Sequence, residues 1–329
     1  MRFATIGTGW ITDAFIEGTE QVEGMELAAV YSRDEKRGQA FSKKHGGKPV
    51  FTALNKLAVS DLIDAVYIAS PNALHYEQSR LFLENGKHVL CEKPITVTPE
   101  QYRELLELAL QNHLVYMEAI MMRHLPARAL LHDALNRIGK ITTARFDFSQ
   151  LSSKYAAIQA GELPNIFNPA MAAGCFMDLG IYCVYAAVDL FGKPDRITAS
   201  AGFLKTGSDG FGTAIFDYND KQVILTYSKT GQSMIGSEIL GDRGTLKIGS
   251  VSKLTDITLV THNDGYPQSE TIVGDIPKPV LMSGEAAAFR RFAEDMANHA
   301  AEYQSVCKLT LAVNETMEEV RRLAGIKFN

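Results

Sequence analysis

The sequence predicts an α/β fold in two parts: a parallel sheet with crossover helices, then an α+β region built on a large, mostly antiparallel open sheet. Three observations predict it. Short β-rich runs alternate with helical patterns up to about residue 120. Gly7-Thr8-Gly9 lies directly after the first of those runs. Beyond Arg123, strands follow one another with few helices between them.

Residues 2–6 form the first predicted strand, followed by 25–31, 64–69, 87–91 and 114–117, with a weaker candidate at 49–51. A helix is predicted over 99–112, where Tyr102, Leu105, Leu106 and Ala109 share one face. Thr98 is placed to cap it, and Pro99 occupies the first helical position. The second part opens with a helix near 126–136. Alternating runs follow at 141–150, 196–205, 211–218, 222–229 and 244–248, interrupted by a helix within 169–190. A last helix, 309–324, carries Leu309, Val313, Met317, Val320 and Ala324 on one stripe and is expected to pack on the first domain. The expected division is a dinucleotide-binding Rossmann domain over 1–122 and a substrate-binding and dimerisation domain over 123–329.

Composition narrows the function. With 329 residues, 46% hydrophobic and 22% charged, and a net charge of -5, the chain reads as globular, with no basic surplus for nucleic acid or an anionic membrane. No apolar run is expected to span a bilayer, and the chain starts on a strand rather than a signal segment, so a cytoplasmic protein is expected. Cys91, Cys175, Cys183 and Cys307 have no paired spacing, which predicts reduced thiols, and the histidines form no metal set.

The glycine turn can bring its backbone close to a pyrophosphate, with Trp10 and Ile11 opening the helix behind it. At the end of the second strand, where a carboxylate would grip the ribose of NAD, the chain carries Ser32, Arg33 and, a turn on, Arg37. These suit a 2′-phosphate and favour NADP over NAD. Ser70-Pro71-Asn72 with His75 ends the strand expected to border the nucleotide crevice, and Glu92-Lys93-Pro94 ends the next. Asp178 and Tyr182, four apart, share a helical face on which a carboxylate and a phenol can address one substrate. Met121, Arg123, Phe148, Asn165, Phe167 and Asn168, with Tyr155, are candidates for the substrate wall, since amides and aromatic rings suit a hydroxylated ring.

Gly7-x-Gly9, Ser70-Pro71-Asn72 with His75, Cys91-Glu92-Lys93-Pro94, Met117-Glu118-Ala119 and Gly174 through Asp178-x-Gly180 resemble the Gfo/Idh/MocA oxidoreductases, nearest to the dimeric dihydrodiol dehydrogenases and the NADP-dependent D-xylose dehydrogenases. The resemblance covers almost the whole chain. It implies hydride transfer between NAD(P) and a sugar, polyol or diol, with Lys93, Asp178 and Tyr182 as the catalytic set and Tyr182 as acid/base. It further implies a cis peptide before Pro94 and a homodimer or higher homo-oligomer through the second domain's sheet. The chain departs from the pattern at Thr12, in the place of the third glycine, and at Met121, where the mammalian dihydrodiol enzymes carry tryptophan nearby. A non-catalytic nucleotide-binding regulator of the same fold is the alternative.

Overall fold

The computed structural model describes residues 1–263 and 266–328, grouped into two compact units. The first comprises Met1–Met121 with Pro277–Leu311, and the second Met122–Ile276 with Ala312–Asn329.

The first unit contains six strands: β1 (Arg2–Ile6), β2 (Glu26–Tyr31), β3 (Val50–Phe51), β4 (Ala65–Ile68), β5 (His88–Glu92) and β6 (Tyr116–Ala119). They are parallel, in the order β3-β2-β1-β4-β5-β6. The connecting helices are α1 (Trp10–Thr19), α2 (Glu35–Lys44), α3 (Leu54–Ala58), α4 (His75–Glu84) and α5 (Pro99–Gln111). Because helices cover both faces, the strands are apolar along nearly their whole length, and β4 is buried at all four positions. The predicted cap of α5 is present as a reciprocal capping box, with the Gln101 N–H donating to Thr98 Oγ1 at 3.3 Å. Strand order reverses between β1 and β4, and a ligand crevice forms at such a point in sheets of this kind.

The second unit holds α6 (Met121–His124, whose first residue belongs to the first unit), α7 (Pro126–Leu135), β7 (Ile141–Ser149), α8 (Tyr155–Gln159) and α9 (Ile181–Phe191). Then follow β8 (Arg196–Phe203), β9 (Asp209–Tyr218), β10 (Lys221–Ser228), β11 (Ser237–Gly241), β12 (Gly244–Ser250), β13 (Thr255–Asn263) and β14 (Tyr266–Val273). They form one eight-stranded sheet, β14-β13-β12-β11-β7-β10-β9-β8, antiparallel except for the parallel pair β7–β10. Val223, Leu225 and Tyr227 of β10, Ala214 and Phe216 of β9, and Ala144 and Phe146 of β7 point inward, and α9 packs on β7 and β10. Strands β11, β13 and β14 go beyond the predicted set. β14 is exposed over six of its eight positions, so its sequence carries no apolar alternation to read.

Two helices close the chain, α10 (Lys278–Glu294) and α11 (Met296–Ala324). α10 was not anticipated, because Ser283-Gly284 interrupts its apolar pattern. Its Met282, Ala286, Phe289 and Phe292 join Phe3, Phe15, Val30 and Tyr67 in one core layer of the first unit. α11 begins at Met296 rather than 309, and its residues to Leu311 group with the first unit while those from Ala312 group with the second. The expectation that no apolar run reaches spanning length is corrected by Pro169–Phe191, with a mean hydropathy of 1.6. Of its most apolar 18-residue window, 89% is buried in the protein, as in a core helix.

Candidate active site

The carboxyl edge of the parallel sheet gathers the residues expected to hold a dinucleotide. Gly7 has φ +115, and a Cβ there would lie 2.5 Å from the Ala69 carbonyl oxygen, so the turn between β1 and α1 requires glycine on two counts. Gly9 caps α1 without a side-chain hydrogen bond, and a Cβ at Gly9 would have nothing within 4 Å. The first amides of α1 are therefore left to an external acceptor. Thr12 is fully buried, which shows that the helix accepts a side chain at the third glycine position. Trp10, the single tryptophan, is 79% exposed beside this turn, while Ile11 packs on the core.

At the end of β2, Ser32 Oγ donates to the Asp34 carbonyl at 2.7 Å, and Asp34 Oδ1 accepts the Arg37 N–H at 3.0 Å. Asp34 is thus the cap of α2. Arg33 and Arg37 are exposed, and among the described residues no partner engages either guanidinium.

The Glu92-Lys93-Pro94 turn is held from several sides. Glu92 Oε1 accepts the Tyr67 hydroxyl at 2.5 Å, and Glu92 Oε2 accepts the Lys93 N–H at 3.2 Å. Glu118 Oε1 accepts the Ile95 N–H at 2.8 Å, which accounts for the Met117-Glu118-Ala119 motif. The Lys93–Pro94 peptide is cis. His75 is fully buried, with Nδ1 2.8 Å from the Pro94 carbonyl and Nε2 2.9 Å from that of Ser70. Burial pulls its pKa down, helped by the charge of Lys93, against the upward pull of the two carbonyls. His75 therefore ties the Ser70-Pro71-Asn72 turn to the lysine turn from below. Ser70 Oγ is anchored separately, on Gln78 Oε1 at 2.7 Å.

Behind this edge lies a carboxyl group that the sequence did not flag. Glu285 of α10 is 1% exposed, and neither of its oxygens has a hydrogen-bond partner. Burial, with Glu92 nearby, pushes its pKa well up. A carboxyl with a raised folded-state pKa contributes stability below its unfolded pKa and loses it as pH rises toward the folded value. Glu285→Gln is therefore expected to raise Tm by a few degrees at neutral pH and to leave it unchanged near pH ~4. Thermal melts of both proteins across that range check this, and a difference independent of pH would contradict it.

In the second unit, the segment carrying Asp178 is a π turn (Phe176–Gly180) that runs into α9, rather than the opening of a regular helix. Such turns distort the ladder and concentrate at functional positions. Asp209 fixes the start of this one: its Oδ2 accepts the Phe176 N–H at 2.6 Å, and a Cβ on Gly174 would come within 2.0 Å of its Oδ1. Burial pushes the Asp209 carboxyl up to about 6, against the downward pull of the Phe176 and Cys175 amides and of Lys229. Tyr182 is 8% exposed, with the Phe148 ring edge-on at 5.5 Å. Asp178 Oδ2 lies 2.5 Å from Nζ of Lys229, a residue that the sequence reading placed at a strand end and assigned no role.

The expected substrate wall divides. Phe148 adjoins Tyr182, and Asn165 is exposed at the head of a one-turn 3-10 segment, Asn165–Phe167. Phe167 is fully buried under the Lys229 ammonium, and Asn168 Oδ1 caps the next turn through Ala170 N at 3.1 Å. Arg123 and Tyr155 are half-buried, and Met121 packs partly on the first unit's core. Among the described residues, no His, Cys, Asp and Glu cluster could hold a metal.

Residues 1–120 match a family model described as an oxidoreductase family with an NAD-binding Rossmann fold, and residues 127–247 match the GFO/IDH/MocA C-terminal domain. A scyllo-inositol 2-dehydrogenase (NADP(+)), IolU of Bacillus subtilis, is 38% identical over 100% of this chain and 98% of its own length. A human trans-1,2-dihydrobenzene-1,2-diol dehydrogenase is 28% identical over 75% of this chain and 74% of its own. Among solved structures, the 3-ketoreductase KijD10 of Actinomadura kijaniata, in complex with NADP and TDP-benzene, superposes with a TM-score of 0.83. It covers 98% of this chain and 97% of that one, and at 22% identity it shows likeness of fold.

Proposed function

The chain belongs to the Gfo/Idh/MocA oxidoreductase family, and from that premise we propose that it is an NADP-dependent dehydrogenase of a small cyclic polyol, sugar or diol, with Tyr182 as acid/base assisted by Lys93 and Asp178. The observation that carries this reading is one segment that presents Asp178, beside the Lys229 ammonium, and four residues on Tyr182, against the Phe148 ring, in a chain that also keeps the Gly7 turn and Lys93. A protein that merely binds nucleotide has no use for the carboxylate and the phenol.

The glycine turn, the uncapped amides of α1 and the two unpartnered arginines fit a dinucleotide with a 2′-phosphate. When bound, NADP supplies the acceptor or donor of the hydride. This chain's residues do the rest. Tyr182 takes the hydroxyl proton in oxidation and returns it in reduction, and an ammonium at Lys93 favours the phenolate that a free phenol, titrating near ~10, would not form at neutral pH. Asp178 orients a substrate hydroxyl, while Phe148 and Asn165 supply a ring face and an amide for a hydroxylated ring. Four buried, unbridged cysteines suit a reducing cytoplasm. The half-exposed outer face of the second sheet, where Ile215 lies opposite Ile224 and Phe211 is 51% exposed, suits a homodimer contact.

A panel of cyclitols, aldoses and dihydrodiols, assayed with NADP and NAD by the absorbance of the reduced nicotinamide, tests the reading. Turnover of at least one hydroxylated ring with NADP is expected, and no turnover of any would refute it. Replacing Arg33 and Arg37 together by alanine should raise KM for NADP by roughly tenfold or more while leaving KM for NAD in place. An equal change with both coenzymes would remove the arginines from phosphate recognition.

A further inference from the structure

The alternation that turns Val223, Leu225 and Tyr227 inward continues past the end of β10 and turns Lys229 inward as well. Its backbone stays in the sheet, with its N–H donating to Gly210 at 2.8 Å and its carbonyl accepting from Ser152 at 2.9 Å. Its side chain is 2% exposed, with Nζ 2.5 Å from Asp178 Oδ2 and 5.2 Å from the centroid of the Phe167 ring. The Asp178 side chain, by contrast, is 31% exposed. A lysine ordinarily carries its ammonium out to water, and desolvating one costs several kcal/mol before any partner offsets it. A buried cation beneath a half-open carboxylate is a poor arrangement for stability and a good one for holding that carboxylate in a single place.

We propose that Lys229 is a positioning residue for the reaction: it keeps Asp178 ionised in one rotamer and, through the face of Phe167, fixes the Asn165–Phe167 turn relative to that carboxylate. The inference rests on the catalytic assignment of Asp178. The other ionisable groups that feel this ammonium are the Asp209 carboxyl and the Cys175 thiol, with the Tyr227 phenol near both. Of these, Asp209 is committed to the Phe176 amide and holds the π turn from its other side. Asp209 thus fixes the start of the π turn, and Lys229 fixes the carboxylate that the turn carries. Removing its charge frees Asp178 to rotate and releases the turn carrying Asn165, so turnover falls and the substrate's KM rises. The coenzyme residues, which belong to the first unit, are left as they were.

A double-mutant cycle tests this. Lys229→Met is expected to lower kcat by roughly 10–100-fold and to raise KM for the substrate, with NADP affinity, read from the quenching of Trp10 fluorescence, unchanged. In an Asp178→Asn background the same substitution should change kcat by less than about twofold, because a residue acting through Asp178 has nothing left to position. Lys229→Arg, which keeps the cation, should recover part of the loss. Lys229→Gln carries the same expectation as the methionine variant should that variant fail to fold. Wild-type turnover in Lys229→Met, or a full further loss in the Asp178→Asn background, would overturn the proposal while leaving Asp178 catalytic. Wild-type turnover in Asp178→Asn alone would instead strike the reading beneath it.

Discussion

Tyr182→Phe is expected to lower kcat by ~10²–10⁴-fold, the range general acid–base assistance supplies, while leaving NADP affinity and Tm close to those of the wild type. The substitution removes one oxygen and keeps the ring. That ring is 8% exposed and packs against the edge of Phe148 at 5.5 Å, so the core keeps its volume and the neighbouring wall its shape. The proposed coenzyme residues belong to the other unit. The residual rate should reflect substrate held beside the coenzyme without a proton acceptor. Stopped-flow measurement of hydride transfer, alongside titration of NADP by Trp10 fluorescence, separates the two quantities. A variant that turns over at the wild-type rate would dismiss Tyr182 as acid/base, and one that loses NADP affinity in equal measure would recast it as a structural residue.

Gly7→Ala should be nearly as damaging, through the coenzyme instead of the proton. With φ at +115, an L-residue is strained by ~1–3 kcal/mol, and its Cβ would also sit 2.5 Å from the Ala69 carbonyl oxygen, just past the end of β4, and 3.1 Å from the carbon. Both are backbone atoms of a residue tied to β1 through its N–H, which donates to the Ile6 carbonyl at 2.8 Å, so the turn must shift and carry the α1 amides with it. NADP affinity should drop by about 100-fold or more, about 2.7 kcal/mol or greater, and Tm should fall. Gly9→Ala makes a useful contrast, because a Cβ there has nothing within 4 Å. That variant should melt like the wild type and yet bind NADP more weakly, since the added methyl stands where a pyrophosphate must approach the backbone. Equal NADP affinity in Gly7→Ala and wild type would show that the turn does not cradle the coenzyme.

The sequence revealed most where burial is two-sided or where a cap is local. The strands of the first unit are legible because both their faces are covered, and α5 because Thr98 and Gln101 announce its start within four residues. β14 was silent because six of its eight positions meet solvent, and α10 because a glycine breaks its stripe. Asp178 and Tyr182 stood out through the family resemblance rather than through spacing alone, and the π turn that presents the aspartate could not be read, since it depends on Asp209 arriving from β9, a distant part of the chain. Lys229 is the instructive omission. Its inward direction follows from the two-residue period of β10, but a lysine at a strand end reads by habit as a solvent group. Only the carboxylate across from it, contributed by the π turn, explains why it stays inside.

One strand runs the unexpected way for its surroundings. β10 lies parallel to β7, with Tyr227 beside Phe148 and Ser228 beside Ser149, so both strands deliver their final residues to the same rim. Were β10 reversed, Lys229 would leave the sheet at the opposite rim, about 25 Å away along a strand of eight residues. Parallel neighbours also demand a long return path, and here that path includes Asn165, Asp178 and Tyr182. The polarity of a single strand therefore gathers the ring, the ammonium and the acid–phenol couple in one place, and a homologue that re-threaded this connection would have to invent its chemistry afresh.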